Sequence, residues 1–113
     1  VVKNAKILIL GVTFKENCPD VRNTKVVDIY TTLEEYTNNI TVCDPWADCA
    51  KVEKEYGISI VPTIAGNEKF DAIILAVSHK EFAGTDWRKH LTEHGVVYDV
   101  KGALEREQVD GRL

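Results

Sequence analysis

The chain has 113 residues, 44% of them hydrophobic and 28% charged, which is the size of one globular domain that makes a core without disulfides or metal. With 14 Lys and Arg against 18 Asp and Glu, its net charge is −4, which excludes a broadly basic surface for nucleic acid. No apolar run approaches the ~20 residues that a membrane span requires.

In chain order, Ala5 to Val12 is a short apolar run, interrupted only by Lys6 and Gly11. It reads as a strand buried on both faces of a parallel sheet. A polar stretch from Thr13 to Asn23 follows, broken by Pro19. Val26, Ile29, Tyr30, Leu33 and Tyr36 then recur at helical spacing, with Asn23 or Thr24 as the expected N-cap. Ile40 to Cys43 is a second strand, closed by Asp44-Pro45. Ala47 to Tyr56 reads as a second helix with Gly57 as its stop. Ile58 to Val61 is a weak third strand, and Phe70 to Val77 is the strongest strand signal in the chain. His79 to Phe82 and Trp87 to His94 read as short helical segments, with Gly95 ending the second and Val96 to Val100 forming a last strand. Glu105 to Leu113 is expected to be a surface tail or a capping helix. This alternation predicts one α/β domain over 1–113, a three-layer sandwich around a mainly parallel, Rossmann-like sheet of about five strands.

In such a sheet, ligands bind beyond the carboxyl ends of the strands. Those ends are Thr13-Phe14-Lys15, Asp44-Pro45-Trp46, Ser78-His79-Lys80 and Val100-Lys101-Gly102. Three of the four carry a lysine, so an acidic chain gathers cations where a ligand would sit, and phosphate is the expected ligand chemistry. The turn after the first strand holds a single glycine, Gly11, rather than G-x-G-x-x-G. Backbone N–H groups alone cannot then cradle a pyrophosphate, and side chains such as Lys15 and Arg22 must supply the charge. Either could instead be a plain surface group: Lys15 solvated, Arg22 paired with Asp20 or a helix carboxylate. His79 is open between a base and a helix cap. His90 and His94 stand at metal-compatible spacing, but no third ligand accompanies them, so a solvated face is favoured over a metal.

Cys18, Cys43 and Cys49 form no C-x-x-C pair. An odd number without a framework suits a reducing compartment and a cytoplasmic protein. Each is expected to be a buried apolar residue rather than a nucleophile. Trp46 and Trp87 are expected to pack, Trp46 with the option of lining a crevice. The residues contain no complete catalytic set. Val at position 1 and the lack of any Met suggest a piece of a longer chain.

The stretch from Gly11 to Val26 resembles the opening of the C-terminal, UDP-binding domain of the UDP-glucose/GDP-mannose dehydrogenase family. The family pattern is a strand, G-x-x-F-K, then a loop ending D-x-R-x-S; Thr24 stands here in place of that Ser. Val42-Cys43-Asp44-Pro45, Ala72 to Phe82, Tyr98 to Gly102 and the closing Asp110-Gly111-Arg112-Leu113 match in order. Lys15-Glu16-Asn17, Ser78 to Phe82 and Val100-Lys101-Gly102 lean towards the branch that oxidises UDP-N-acetylhexosamines for capsule and related polysaccharides.

The resemblance implies an NAD-dependent oxidoreductase of three parts: an N-terminal NAD-binding domain, a helical middle and this domain. The reaction takes the sugar C6 alcohol to a carboxylate through a thioester on a cysteine in the upstream part. None of the three cysteines here matches that position, so no catalytic residue is expected and the chain alone is expected to be inactive. By similarity, Phe14, Lys15 and Lys101 would contact the UDP-sugar, and Arg22 would reach NAD held mainly by the N-terminal domain. Asp20 would orient the Arg22 loop, and Asp44 is expected to cap the next helix. The implied partners are the UDP-sugar, the other domains and, at full length, further copies of the enzyme. The readings from other classes are a stand-alone nucleotide-binding module and a structural docking domain.

Overall fold

The computed structural model describes residues 4–13, 15–21, 25–99 and 111–112. Successive residues of the first strand, β1 (Lys6–Leu10), serve opposite faces of the sheet. Ile7 and Ile9 join one hydrophobic cluster, Leu8 and Leu10 another. Burial on both faces is why the run shows no polar alternation. After β1 come α1 (Val26–Glu34), β2 (Asn39–Cys43), α2 (Cys49–Tyr56), β3 (Ile60–Val61) and β4 (Phe70–Leu75). The chain continues with α3 (Lys80–Ala83), a 3₁₀ turn (Trp87–His90), β5 (Leu91–Asp99) and β6 (Gly111–Arg112).

The sheet order is β3-β2-β1-β4-β5-β6, and every pairing is parallel. This is the expected α/β architecture, with a two-residue sixth strand added at the edge. The chain winds outwards from β1 to β3, then returns to the other side of β1 as β4. That reversal makes the carboxyl ends of β1 and β4 the topological switch point, the place where doubly wound sheets take ligands.

Val26 of α1 and Val52 of α2 are buried in the first cluster with Ile7, Ile9, Val42 and Val77. The second cluster joins Leu8, Leu10, Phe70 and Ile73 to Phe82 and Trp87. The chain's own side chains thus close a core on each face. Gly11 follows β1 at φ 97°, and a Cβ there would lie 2.5 Å from the Val77 Cβ. Only glycine permits both that backbone and that approach of β1 to the end of β4.

Several boundaries differ from expectation. α1 starts at Val26, with Lys25 at the N-cap position and no side-chain cap; the expected caps Asn23 and Thr24 lie outside the described residues. α2 starts at Cys49, capped by Asp48, and stops at Gly57 as predicted. The segment expected to be helical from Trp87 to His94 is a 3₁₀ turn that passes into β5 at Leu91. Gly95 therefore ends no helix. It lies inside β5, where a Cβ would come within 2.9 Å of the Phe70 carbonyl, beside the register shift between Phe70 and Ala72. Of the closing stretch read as a tail or helix, Gly111 and Arg112 instead pair with Tyr98 and Asp99 as a strand, and the rest of it lies outside the described residues.

Candidate functional site

Asp44 follows β2 and is fully buried. Its Oδ2 accepts the N–H groups of Val12 at 2.8 Å and Thr13 at 3.3 Å, and lies 2.9 Å from His79 Nε2. Its Oδ1 accepts the N–H groups of Trp46 at 2.7 Å and Ala47 at 3.0 Å. Burial works to raise the carboxyl's pKa, but the bonds from His79, Val12 and Trp46 outweigh it and hold it below the ordinary carboxylate range. Asp44 does not cap the next helix as expected, because that helix begins later and Asp48 accepts from Lys51 N–H there. Asp44 instead joins the loop after β1 to the loop after β4.

His79 lies in the other half of this knot, 1% exposed. Its Nδ1 accepts the Asn17 backbone N–H at 2.9 Å. Its Nε2 lies 3.1 Å from Thr13 Oγ1, whose hydroxyl donates to the Lys15 carbonyl at 2.9 Å. The Asn17 side chain accepts the Lys80 N–H at 2.8 Å. Asn17 has φ 54°, a left-handed backbone that Asn tolerates better than most residues. Of the two roles left open for His79, it takes the N-cap position of α3, its carbonyl accepting the Phe82 N–H at 3.0 Å, while its ring gives no side-chain cap and is committed on both nitrogens.

Rings surround the knot. Trp46 stacks on His79 with centroids 6.1 Å apart, and His79, Phe82, Trp87 and His90 continue in a chain of ring contacts. The Trp46 indole N–H donates to Glu81 Oε1 at 2.8 Å, and the Lys80 ammonium lies 5.6 Å from the Trp46 ring centroid. Trp46 thus covers His79 from outside, while Trp87 is buried and donates to the Phe82 carbonyl.

Of the residues singled out in the sequence, Lys15 is exposed on the loop held by this knot. Phe14, Arg22 and Lys101 lie outside the described residues. His90 and His94 are not on one helix face: His90 is buried in the 3₁₀ turn, and His94 is exposed on β5. The spacing therefore has no metal-binding meaning, because the backbone changes from turn to strand between them. Thr13 and Asn17 lie in stretches the sequence marks, but the sequence assigns neither a role of its own. The one local signal was an Asn in a polar loop, a residue type suited to positive φ.

The architecture and this loop have counterparts among known proteins. The model of the UDP-glucose/GDP-mannose dehydrogenase family, UDP binding domain, matches residues 8–106. The chain belongs to this family. It is 43% identical over 99% of its length to the UDP-N-acetyl-D-glucosamine 6-dehydrogenase of Salmonella typhi, and spans 27% of that protein. It is 45% identical, with the same coverage, to the enzyme of that name from Pseudomonas aeruginosa. The chain thus spans about a quarter of the length of the curated relatives it matches. The solved NDP-N-acetyl-D-galactosaminuronic acid dehydrogenase of Methanosarcina mazei Go1 shares its fold, with TM-score 0.82 at 17% identity, over 97% of this chain and 25% of that one.

In this chain the turn after β1 is taken up by the chain's own carboxylate. The N–H groups of Val12 and Thr13, which a dinucleotide fold would aim at a pyrophosphate, are given to the Asp44 carboxylate. Among the described residues, the turn after β1 therefore does not fit a dinucleotide cradle. The cysteines divide by burial: Cys43 is buried, Cys18 half-buried and Cys49 exposed. This corrects the expectation that all three are buried, because Cys49 is the first residue of α2 and faces solvent. Burial, then the neighbouring Asp44 charge, push the Cys43 thiol up to about 12, so it stays protonated at neutral pH. Cys43 also borders an apolar cavity of about 200 Å³ with Pro45, Pro62, Ile64, Phe82 and Trp87.

Proposed function

We propose that this chain supplies the UDP half-site of an NAD-dependent UDP-N-acetylhexosamine (or UDP-glucose) 6-dehydrogenase that makes UDP-uronic acids for surface polysaccharide. The observation that carries this reading is the loop after β1. It carries Lys15, exposed, beyond the carboxyl end of β1 on a backbone held by Asp44 and His79, which supports a role in ligand contact. The identity to two UDP-N-acetyl-D-glucosamine 6-dehydrogenases supports the branch.

Lys15 would meet the phosphates, Phe14 would pack near the nucleotide, and Lys101 would add a second cation. Arg22 would reach NAD across the domain cleft. By the family resemblance NAD is held mainly by an upstream domain, and the use of the Val12 and Thr13 N–H groups by Asp44 is in keeping with that. The nucleophilic cysteine belongs to that upstream part, so the chain alone has no turnover. The complete enzyme works in the cytoplasm and assembles as a homo-oligomer with its NAD-binding and central domains.

Titration of this chain with UDP, followed by NMR or calorimetry with ADP as control, tests the reading. Half of a two-domain site should bind UDP with Kd ~0.1–1 mM, equivalent to about 4–5.5 kcal/mol. Lys15→Ala should weaken binding about tenfold, the loss of one charge-assisted contact. Equal binding of ADP, an unaltered Kd in Lys15→Ala, or no saturation at millimolar UDP would sink it.

A further inference from the structure

The bonding of His79 fixes its chemical state. A backbone N–H only donates, so Nδ1, 2.9 Å from the Asn17 nitrogen, must accept and carries no proton. The ring proton therefore sits on Nε2, 2.9 Å from Asp44 Oδ2. The pair is a charge-assisted hydrogen bond between a carboxylate and a neutral imidazole, not an ion pair. Asp44 in turn is oriented by four backbone N–H groups, so the tautomer is set by a rigid partner.

The neutral ring ties down both ends of the Lys15 loop. At one end it contacts Thr13, whose hydroxyl holds the Lys15 carbonyl. At the other it takes the Asn17 N–H, while Asn17 Oδ1 takes the Lys80 N–H. Asn17 adopts a left-handed φ of 54°, which Asn tolerates, and the bond to the ring fixes its N–H there. The Lys15 side chain stays exposed between these two fixed points. A loop already fixed loses less conformational freedom when it binds.

We propose that His79, as the neutral Nε2–H tautomer, is the positioning residue of the nucleotide site, holding the Lys15 loop in the form that meets the phosphates. The ligand half of this statement rests on the UDP reading above; the ring and loop geometry stand without it.

Nitrogen-15 NMR of this chain tests both halves. In the wild type, Nδ1 shows the shift of an unprotonated imidazole nitrogen, Nε2 that of a protonated one, and a scalar coupling crosses the Asn17 N–H···Nδ1 bond. His79→Gln keeps an N–H donor for Asp44 but offers no acceptor at the Nδ1 position. The Asn17 amide should then exchange about tenfold faster while β1 and β4 amides stay protected, and UDP affinity should fall about tenfold. His79→Asn keeps an acceptor at the Nδ1 position and restores slow Asn17 exchange. A protonated Nδ1, unchanged Asn17 exchange in His79→Gln, or faster exchange with unchanged UDP affinity overturns the proposal. Should His79→Asn not fold, the wild-type shifts and the Gln variant decide it. If the wild type binds no UDP yet the ring and exchange readouts appear as expected, the UDP reading falls and the hold on the loop is supported.

Discussion

On one face of the sheet, α1 and α2 bring aliphatic side chains such as Val26 and Val52 into a cluster with Ile7, Ile9 and Val42. On the other, the short α3 and the 3₁₀ turn bring in the rings of Phe82 and Trp87, and a cavity of about 200 Å³ remains. The aliphatic face is closed by two helices, with the rings of Tyr30 and Tyr56 packed at its margin. The aromatic face is closed by four residues of α3 and a turn, and its ring chain runs straight into His79. Aliphatic packing is non-directional and tolerates small adjustments, whereas stacked rings and a buried carboxylate fix orientation as well as distance. The domain thus spends its generic core on one face and its directional contacts beside the switch point.

The largest way to break this division is Asp44→Ala. It leaves the N–H groups of Val12, Thr13 and His79 without their shared acceptor, and should cost about 3–5 kcal/mol in denaturant unfolding. Val52→Ala on the aliphatic face should cost only about 2 kcal/mol. Equal costs would erase the contrast. Acid sharpens it further. The Asp44 carboxyl is depressed in the fold despite its burial, so its stabilisation is complete above the unfolded value of about 3.9 and is lost as pH falls through the lower folded value. Wild-type stability should therefore drop below about pH 4 more steeply than that of Asp44→Asn. Asp71 is also depressed, first by the Lys6 N–H, but it is only half-buried, so solvent screening leaves it a smaller share of this slope.

Gly11→Ala attacks the seam where the two faces meet the switch point. A Cβ there would stand 2.5 Å from Val77 Cβ and 2.9 Å from Val77 N, on a backbone at φ 97°. Strain and overpacking together should cost about 2–4 kcal/mol. Thermal unfolding measures that cost. Because β1 would be pushed from the end of β4, the variant should also lose UDP affinity in the same titration. A stable variant with unchanged binding would show that the approach of the two strands is incidental.

What the sequence made legible follows the range of the interactions. β1 and β4 were plain because burial on both faces leaves a continuous apolar run, and Gly57 was plain because a left-handed helix stop is a local event. The passage from the 3₁₀ turn into β5 was not, because Trp87, His90 and Leu91 fit a helical period equally well and the pairing of β5 with β4 decides the matter. Beyond β1, the position of Lys15 on an exposed loop was legible from its place after a strand. Asp44 could not be understood locally, since Val12 lies 32 positions away and His79 lies 35. His79 was open between two local roles, and its actual partners came from two distant loops. The hidden part of the site is the part made by tertiary contacts.

The smallest test concerns the outer layer. Lys80 gives its backbone N–H to Asn17 and hangs its ammonium 5.6 Å from the Trp46 ring centroid. Substitution by Ala leaves the backbone bond intact and removes only the cation. At an exposed site that contact is worth about 0.5–1 kcal/mol, so Lys80→Ala should shift the unfolding midpoint slightly and leave Asn17 exchange unchanged. Its effect on UDP binding separates two kinds of positive charge at the strand ends. If affinity holds while Lys15→Ala loses about tenfold, the phosphate charge comes from the pinned loop and Lys80 serves the Trp46 cover. If Lys80→Ala loses as much, the field of both lysines matters more than the geometry of one, and the hold on the Lys15 loop explains less of the binding.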